Sequence, residues 1–162
     1  MSLSSPKAPA ADAALAVRPV EVRDLDAIIA LDAAVTGLAK PDYWYELFHR
    51  YGTRGRQQRF FLVGDAAGEI QGFVIGEVRD WEFGSPPCGW VFGINVRPHA
   101  RLGGVGASLL EAIVAAFRRV GVTKVRTLLA RDNNLVLSFF RSQGMTAAPF
   151  IPLELDLESA PR

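Results

Sequence analysis

The stretch Phe92-Gly93-Ile94-Asn95-Val96, followed by Arg97-Pro98-His99-Ala100 and then Arg101-Leu102-Gly103-Gly104-Val105-Gly106, decides how this chain is read. An apolar strand that ends in a glycine-rich turn and opens a helix is a device for holding phosphate. Glycines let the main chain approach the anion, and the first helical turn offers unpaired N–H groups at the positive end of the dipole. The helix itself is well marked. Val105, Leu109, Leu110, Ile113, Val114, Phe117 and Val120 fall on one stripe at helical spacing. Arg118 and Arg119 suit its last turn and Gly121 suits its end.

The loop lacks the Lys-Ser/Thr pair of a nucleoside-triphosphate loop. It also lacks the G-x-G-x-x-G spacing of a dinucleotide site, and no acidic residue follows in a strand about 20 positions on. What remains is Arg-x-x-Gly-x-Gly, written by Arg101, Gly104 and Gly106. This resembles the acyl-CoA pyrophosphate loop of the GNAT superfamily of acyl-CoA-dependent N-acetyltransferases. The likeness continues in Val96-x-Pro98, in Asn133 followed by Phe139-Phe140 and Gly144-Met145, and in Val17-Arg18-Pro19 with Asp24-Leu25. It covers roughly residues 16 to 157, and the loop is its specific part.

Composition sets the outer bounds. The chain has 162 residues, enough for one domain with a real core, and 49% apolar against 22% charged residues describes an ordinary soluble globule. Lys plus Arg is 18 and Asp plus Glu is 17, a net charge of +1, so nothing pulls the whole chain towards nucleic acid or an anionic membrane. The single Cys88 excludes an intrachain disulfide and a cysteine-rich zinc site, no metal site is read, and a cytoplasmic setting fits. No apolar run reaches the ~18 residues of a membrane span.

Residues 1–14, rich in Ser, Pro and Ala, read as a disordered tail, which leaves 15–158 as a single acyltransferase domain. Val17–Val20 is a short strand, and Asp24 caps a helix carrying Leu25, Ile28, Ile29 and Leu31. A second helix starts at Pro41 or Asp42 and runs to Tyr51, with Tyr43, Trp44, Tyr45, Phe48 and Tyr51 along it. Those aromatics read either as core packing or as a wall for the acceptor. Arg50, Arg54, Arg56 and Arg59 read as a solvated loop or as an anion contact. Phe60–Val63 and Ile70–Val78 are strands joined by the turn Asp65–Gly68, and Gly72 and Gly76 announce a bulge or a close backbone contact. In the strand before the loop, Trp90, Phe92 and Ile94 share one face and Val91, Gly93 and Asn95 the other. Val122–Ala130 is a further strand. Leu153, Leu155 and Leu157 alternate with acidic residues as a last strand, which offers an edge for a possible homodimer. The expected fold is α/β (α+β): a mixed, mostly antiparallel twisted sheet of six to seven strands with helices on both faces.

Acyl transfer from a thioester to an amine requires an anchored donor, an N–H for the developing oxyanion, and a route for the amine proton. The resemblance implies acetyl-CoA as the acyl donor. Main-chain N–H groups from Leu102 through Gly103, Gly104, Val105 and Gly106 to Ala107 would hold its pyrophosphate beside Arg101, with Ser108 adding a hydroxyl. It implies a pantetheine arm along Ile94, Asn95 and Val96, and Asn133 and Phe140 on the cofactor side, where Asn133 also reads as a helix cap. Two positions depart from the family. The strand before the loop holds Trp90 and Phe92 where many members carry a glutamate, and Phe140 stands where many carry a tyrosine. Glu77, Asp80 and Glu82 are the remaining candidates for the proton, although each reads first as an exposed strand-edge charge. Three functions compete: N-acetylation of a small-molecule or peptide amine, acyl-CoA binding with weak or no catalysis, and a phosphate module for another nucleotide.

Overall fold

The computed structural model describes residues 13–53 and 58–158, so Arg54 and Arg56 of the arginine cluster and most of the N-terminal tail lie outside the described residues. The chain divides at Leu128 into two compact units. The first holds a five-stranded sheet in the order β1 (Leu15–Pro19), β2 (Arg59–Ala66), β3 (Glu69–Arg79), β4 (Cys88–Val96) and β5 (Val125–Thr127). Neighbours from β1 to β4 pair antiparallel, and β5 pairs parallel to β4 after the crossover helix α3 (Val105–Arg119). The mixed, mostly antiparallel sheet is therefore as expected, but it has five strands among the described residues instead of six or seven.

Two differences account for the count. Val122–Ala130 forms a strand only over Val125–Thr127. The segment Leu153–Leu157 is not a strand at all. Leu153, Leu155 and Leu157 are 89%, 73% and 82% exposed, as open as the acidic residues between them. No buried face fixes a register there, and Pro149 and Pro152 break the approach.

Each face of the sheet carries helices. On one side, α1 (Leu25–Thr36) and α2 (Pro41–Leu47) cover Phe61, Val63, Phe73 and Ile75 through Leu25, Ile28, Leu31, Trp44 and Leu47. The second helix, expected to reach Tyr51, is α-helical only over Pro41–Leu47 and then widens into a π-type turn over Phe48–Gly52. On the other side, the apolar stripe of α3 buries Leu109, Ile113 and Phe117. A Cβ at Gly76 would stand 2.6 Å from the Trp90 carbonyl and 2.9 Å from Ile113, and one at Gly89 would stand 2.6 Å from the Phe117 ring. Side chains are missing from these two strand positions because α3 needs the space.

Asp24 does not cap α1 with its side chain. It is buried, takes a two-pronged bond from Arg18 (2.7 and 2.9 Å), and accepts the Glu21 N–H at 2.8 Å, closing a short 3-10 turn ahead of the helix. Arg18 also bonds Asp65 at 2.9 Å, so one guanidinium ties β1, β2 and the entry to α1 together. Burial alone would raise the Asp24 carboxyl; the bonds from Arg18 and Glu21 outweigh it and hold that carboxyl below the ordinary range.

The second unit begins at Leu129. Its helix, α4 (Asn134–Ser142), starts from Asn133, whose Oδ1 accepts the Val136 N–H at 3.2 Å, and ends before Gly144 in the left-handed region, φ +85°. Phe140 is buried.

Candidate functional site

The register of β3 against β4 slips between Ile75 and Gly76. Ile75 faces Gly93 while Gly76 faces Val91, which leaves Phe92 as an extra residue on β4. The bulge changes which side chains share a face. Trp90 and Phe92 stay on the α1–α2 side, but Asn95, paired with Phe73, joins them there, while Ile94, paired with Val74, turns to the α3 side. The uninterrupted alternation expected for this strand fails at Phe92 for that reason.

The bulge also frees an edge. The Arg97 N–H donates to the Gln71 carbonyl at 2.8 Å, so Asn95 and Gly93, two and four residues back, point their polar groups at β3. Ile94 and Val96 then turn their N–H and C=O groups the other way. On that side β5 meets β4 only at Gly89, Trp90 and Val91. Among the described residues no strand pairs with the rest of that edge.

The edge leads directly into the loop. Pro98–Gly103 winds as a 3-10 turn, with Arg101 donating from Nε to the Val96 carbonyl at 3.4 Å. Gly104 then takes φ +77°, a conformation side chains resist, and α3 starts at Val105. No side chain caps this helix. Its first bond inward from Ser108 goes to the Gly104 carbonyl at 3.0 Å, so the N–H groups of Val105, Gly106 and Ala107 have no acceptor within the helix. A Cβ at Gly103 or Gly104 would meet nothing within 4 Å. Leu102 and His99 are fully or largely exposed. An open concavity of unpaired N–H groups at a helix start fits an anionic diphosphate. No group of three or more His, Cys, Asp or Glu among the described residues could hold a metal ion.

The opposite side of β4 is built from side chains. Tyr51, in the π-type turn, sets its ring edge against Phe92 at 5.2 Å and donates its hydroxyl to Glu77 at 2.8 Å. Burial, and then the bond to Glu77, push the Tyr51 phenol above its ordinary value, so it stays protonated. Arg79 donates to the same carboxylate at 3.2 Å and lies over the Trp90 ring at 4.8 Å, while Arg59 lies over Tyr51 at 5.2 Å. Glu77 therefore belongs to this face, half-buried and held. Asp80 and Glu82 lie beyond the strand end and are exposed, Glu82 within 4.0 Å of Arg79. Trp90 Nε1 is buried with no hydrogen-bond partner among the described residues. Cys88 is buried, its sulfur accepting from Arg126 at 3.3 Å.

A cavity of about 180 Å3 opens beside Phe92, Gly93, Ile94 and Asn95, walled on its far side by α1 and α2. Sequence reasoning missed its polar residue. Asp32 is only 8% exposed, and its Oδ2 takes both the Trp44 indole N–H and the Lys40 ammonium at 3.0 Å. The signal was a carboxylate four residues after Ile28 and seven after Leu25, on the buried stripe of α1. Tyr51 is one of the aromatics singled out in the sequence, but its bond to Glu77 was not foreseen, since only the π-type turn brings it back to that strand. Asn133 and Phe140 belong to the second unit, where the first caps α4.

The family model described as Acetyltransferase (GNAT) family matches residues 25–145. A mycothiol acetyltransferase of Saccharomonospora viridis is 31% identical over 104 residues, covering 62% of this chain and 32% of that protein. One from Pseudarthrobacter chlorophenolicus is 30% identical over 87 residues, covering 54% of this chain and 27% of that protein. The chain thus spans about a third of the length of the curated relatives it matches. Among solved structures, the aminoglycoside N-acetyltransferase AAC(6')-Iy in complex with CoA superposes with a TM-score of 0.78 at 16% identity, covering 92% of this chain and 99% of that one. The fold is shared with that enzyme, and the chain belongs to the Acetyltransferase (GNAT) family.

Proposed function

We propose that this chain is an acetyl-CoA-dependent N-acetyltransferase that acetylates a primary amine of a small-molecule or peptide acceptor by direct attack in a ternary complex, and that residues 15–158 act as its single catalytic domain. One observation carries the reading: the edge of β4 past Phe92, which no strand pairs among the described residues, leads through the 3-10 turn Pro98–Gly103 into an uncapped helix start. Family membership and the CoA-bound structural neighbour support it.

The residues divide the work as follows. Main-chain N–H groups from Leu102 to Ala107, with Arg101 and the Ser108 hydroxyl, hold the pyrophosphate. Ile94, Asn95 and Val96 take the pantetheine arm along the open edge, and the N–H of Ile94 or Val96 stabilises charge on the carbonyl oxygen. For Asn133 and Phe140 a cofactor role rests on the family resemblance alone. Acetyl-CoA, when bound, supplies an activated thioester. Glu77, steadied by Tyr51 and Arg79, takes the proton of the incoming amine through water; Asp80 and Glu82 stand farther out and accept protons only through a longer chain of waters. Phe140 has no proton that it could offer to a leaving thiolate.

A second reading has its own observation. Trp90 and Phe92 fill the strand positions of the usual base, and Phe140 that of the usual acid, which suits a protein that binds acyl-CoA with little turnover. Calorimetry with acetyl-CoA, beside an amine screen that detects CoA release, separates the two. One-to-one binding with release on at least one amine is expected. Binding with no release across the panel favours the second reading, and no binding refutes both.

A further inference from the structure

We infer that Thr127 is a positioning residue for the acyl donor: its hydroxyl fixes the peptide at which β4 parts from β5, and so holds open the strand edge that takes the pantetheine arm. This rests on the acetyltransferase reading above and adds a residue of β5 to its donor side.

A side chain closes the end of the β4–β5 ladder. The ladder starts at the Gly89 N–H, which donates to the Lys124 carbonyl at 2.9 Å. Pairing then runs parallel, with Trp90 opposite Arg126, as far as Val91 opposite Thr127, where it stops. The Val91 carbonyl of that last pair accepts the Thr127 hydroxyl at 2.8 Å. A threonine hydroxyl that bonds the main chain competes with the ladder for its acceptors. Val91 is also only 1% exposed, so its carbonyl needs a partner where the ladder ends.

The bonded carbonyl belongs to a particular peptide. It joins Val91 to Phe92, and Phe92 is the extra residue of the bulge against β3. The register slip bends β4 on its β3 side, and the hydroxyl holds the same peptide unit on its β5 side. Two residues farther on, Ile94 turns its N–H towards the open edge. The planar peptides ahead of it set its direction, so a loose plane at Val91 would aim that N–H loosely. Pairing beyond Thr127 would be worse, because it would cover the edge itself. β5 has other anchors. Arg126 donates to the Ser85 hydroxyl at 3.0 Å and to the Cys88 sulfur at 3.3 Å. Removing the Thr127 hydroxyl should therefore leave β5 in place and disturb only its parting from β4.

The test uses the full chain and two probes, acetyl-CoA and 3′-phospho-ADP, the half of the coenzyme that carries the diphosphate but no arm. Thr127→Val keeps the branched shape and loses the hydroxyl. Its acetyl-CoA dissociation constant in calorimetry should rise about tenfold, the weight of one or two hydrogen bonds along the arm. Its 3′-phospho-ADP constant should stay within about twofold, because the loop and the helix start are untouched. Thr127→Ser, which restores the hydroxyl, should return acetyl-CoA affinity to within about threefold of the parent protein. A merely structural threonine would not separate the two probes, since a loosened fold loses both. Should Thr127→Val not fold, Thr127→Ala makes the same comparison. Unchanged acetyl-CoA affinity without the hydroxyl, an equal loss for both probes, or no recovery in Thr127→Ser would each overturn the assignment. So would a parent protein that binds the two probes equally tightly, because the arm would then have no site. A parent protein that binds neither would instead remove the acetyltransferase reading on which the inference rests.

Discussion

The two sides of β4 are made of different material. Towards α3, the donor side is main chain: an unpaired strand edge at Ile94 and Val96, then N–H groups at Val105, Gly106 and Ala107 with no cap. Towards α1 and α2, the acceptor side is side chains: Tyr51 on Glu77, Arg79 on Trp90, and Lys40 on Asp32. A main-chain site tolerates almost any sequence that keeps its glycines and its helix start. A side-chain site depends on each residue and on the buried charges that hold it. The difference says where single substitutions should hurt, and how.

The largest effect should come from filling the donor loop. Gly104→Glu or Gly106→Glu adds a carboxylate where the diphosphate belongs, and at Gly104 also a side chain at φ +77°. Acetyl-CoA affinity should fall by roughly 1,000-fold in calorimetry, with the circular dichroism of the fold retained. Retained affinity in both variants would erase the contrast between the two sides.

Next comes the charge that anchors the acceptor-side helix. Asp24→Asn leaves Arg18 short of a buried partner and should cost about 3 kcal/mol in denaturant unfolding. The native Asp24 carboxyl is held below its ordinary value. Its contribution is therefore complete above the unfolded value of about 3.9 and is lost as pH falls through the lower folded value. Unfolding curves of the parent protein and the variant should converge as pH falls below that folded value.

Glu77→Gln comes third. It should lower kcat/KM for the acceptor about 100-fold, while acetyl-CoA affinity stays within about twofold. A change in acetyl-CoA affinity would mean that the two sides are not separate. The smallest effect should come from trimming donor-loop side chains. Leu102→Ala should alter acetyl-CoA affinity by less than about threefold, because the N–H group of that residue remains.

The same difference explains what the sequence revealed. Gly103, Gly104 and Gly106 ahead of the stripe Leu109-Ile113-Phe117 announce the donor loop, since glycine spacing and helical period are local facts. Gly76 marks the register slip, yet the extra residue falls opposite, at Phe92, because two strands decide a bulge together. Leu153, Leu155 and Leu157 alternate like a strand and are none, since alternation without a buried face has nothing to select it. The acceptor side was the least legible. Tyr51 and Glu77 are 26 residues apart, and Asp32 meets Lys40 and Trp44 only because α1 and α2 fold against each other.

Amide hydrogen exchange with and without acetyl-CoA tests the main-chain cradle most directly. The N–H groups of Ile94, Val96 and residues 104–108 should slow together on binding, while those of α1 and α2 change little. Saturating acetyl-CoA that leaves these amides at their unbound rates, or protects a different segment, would contradict the account.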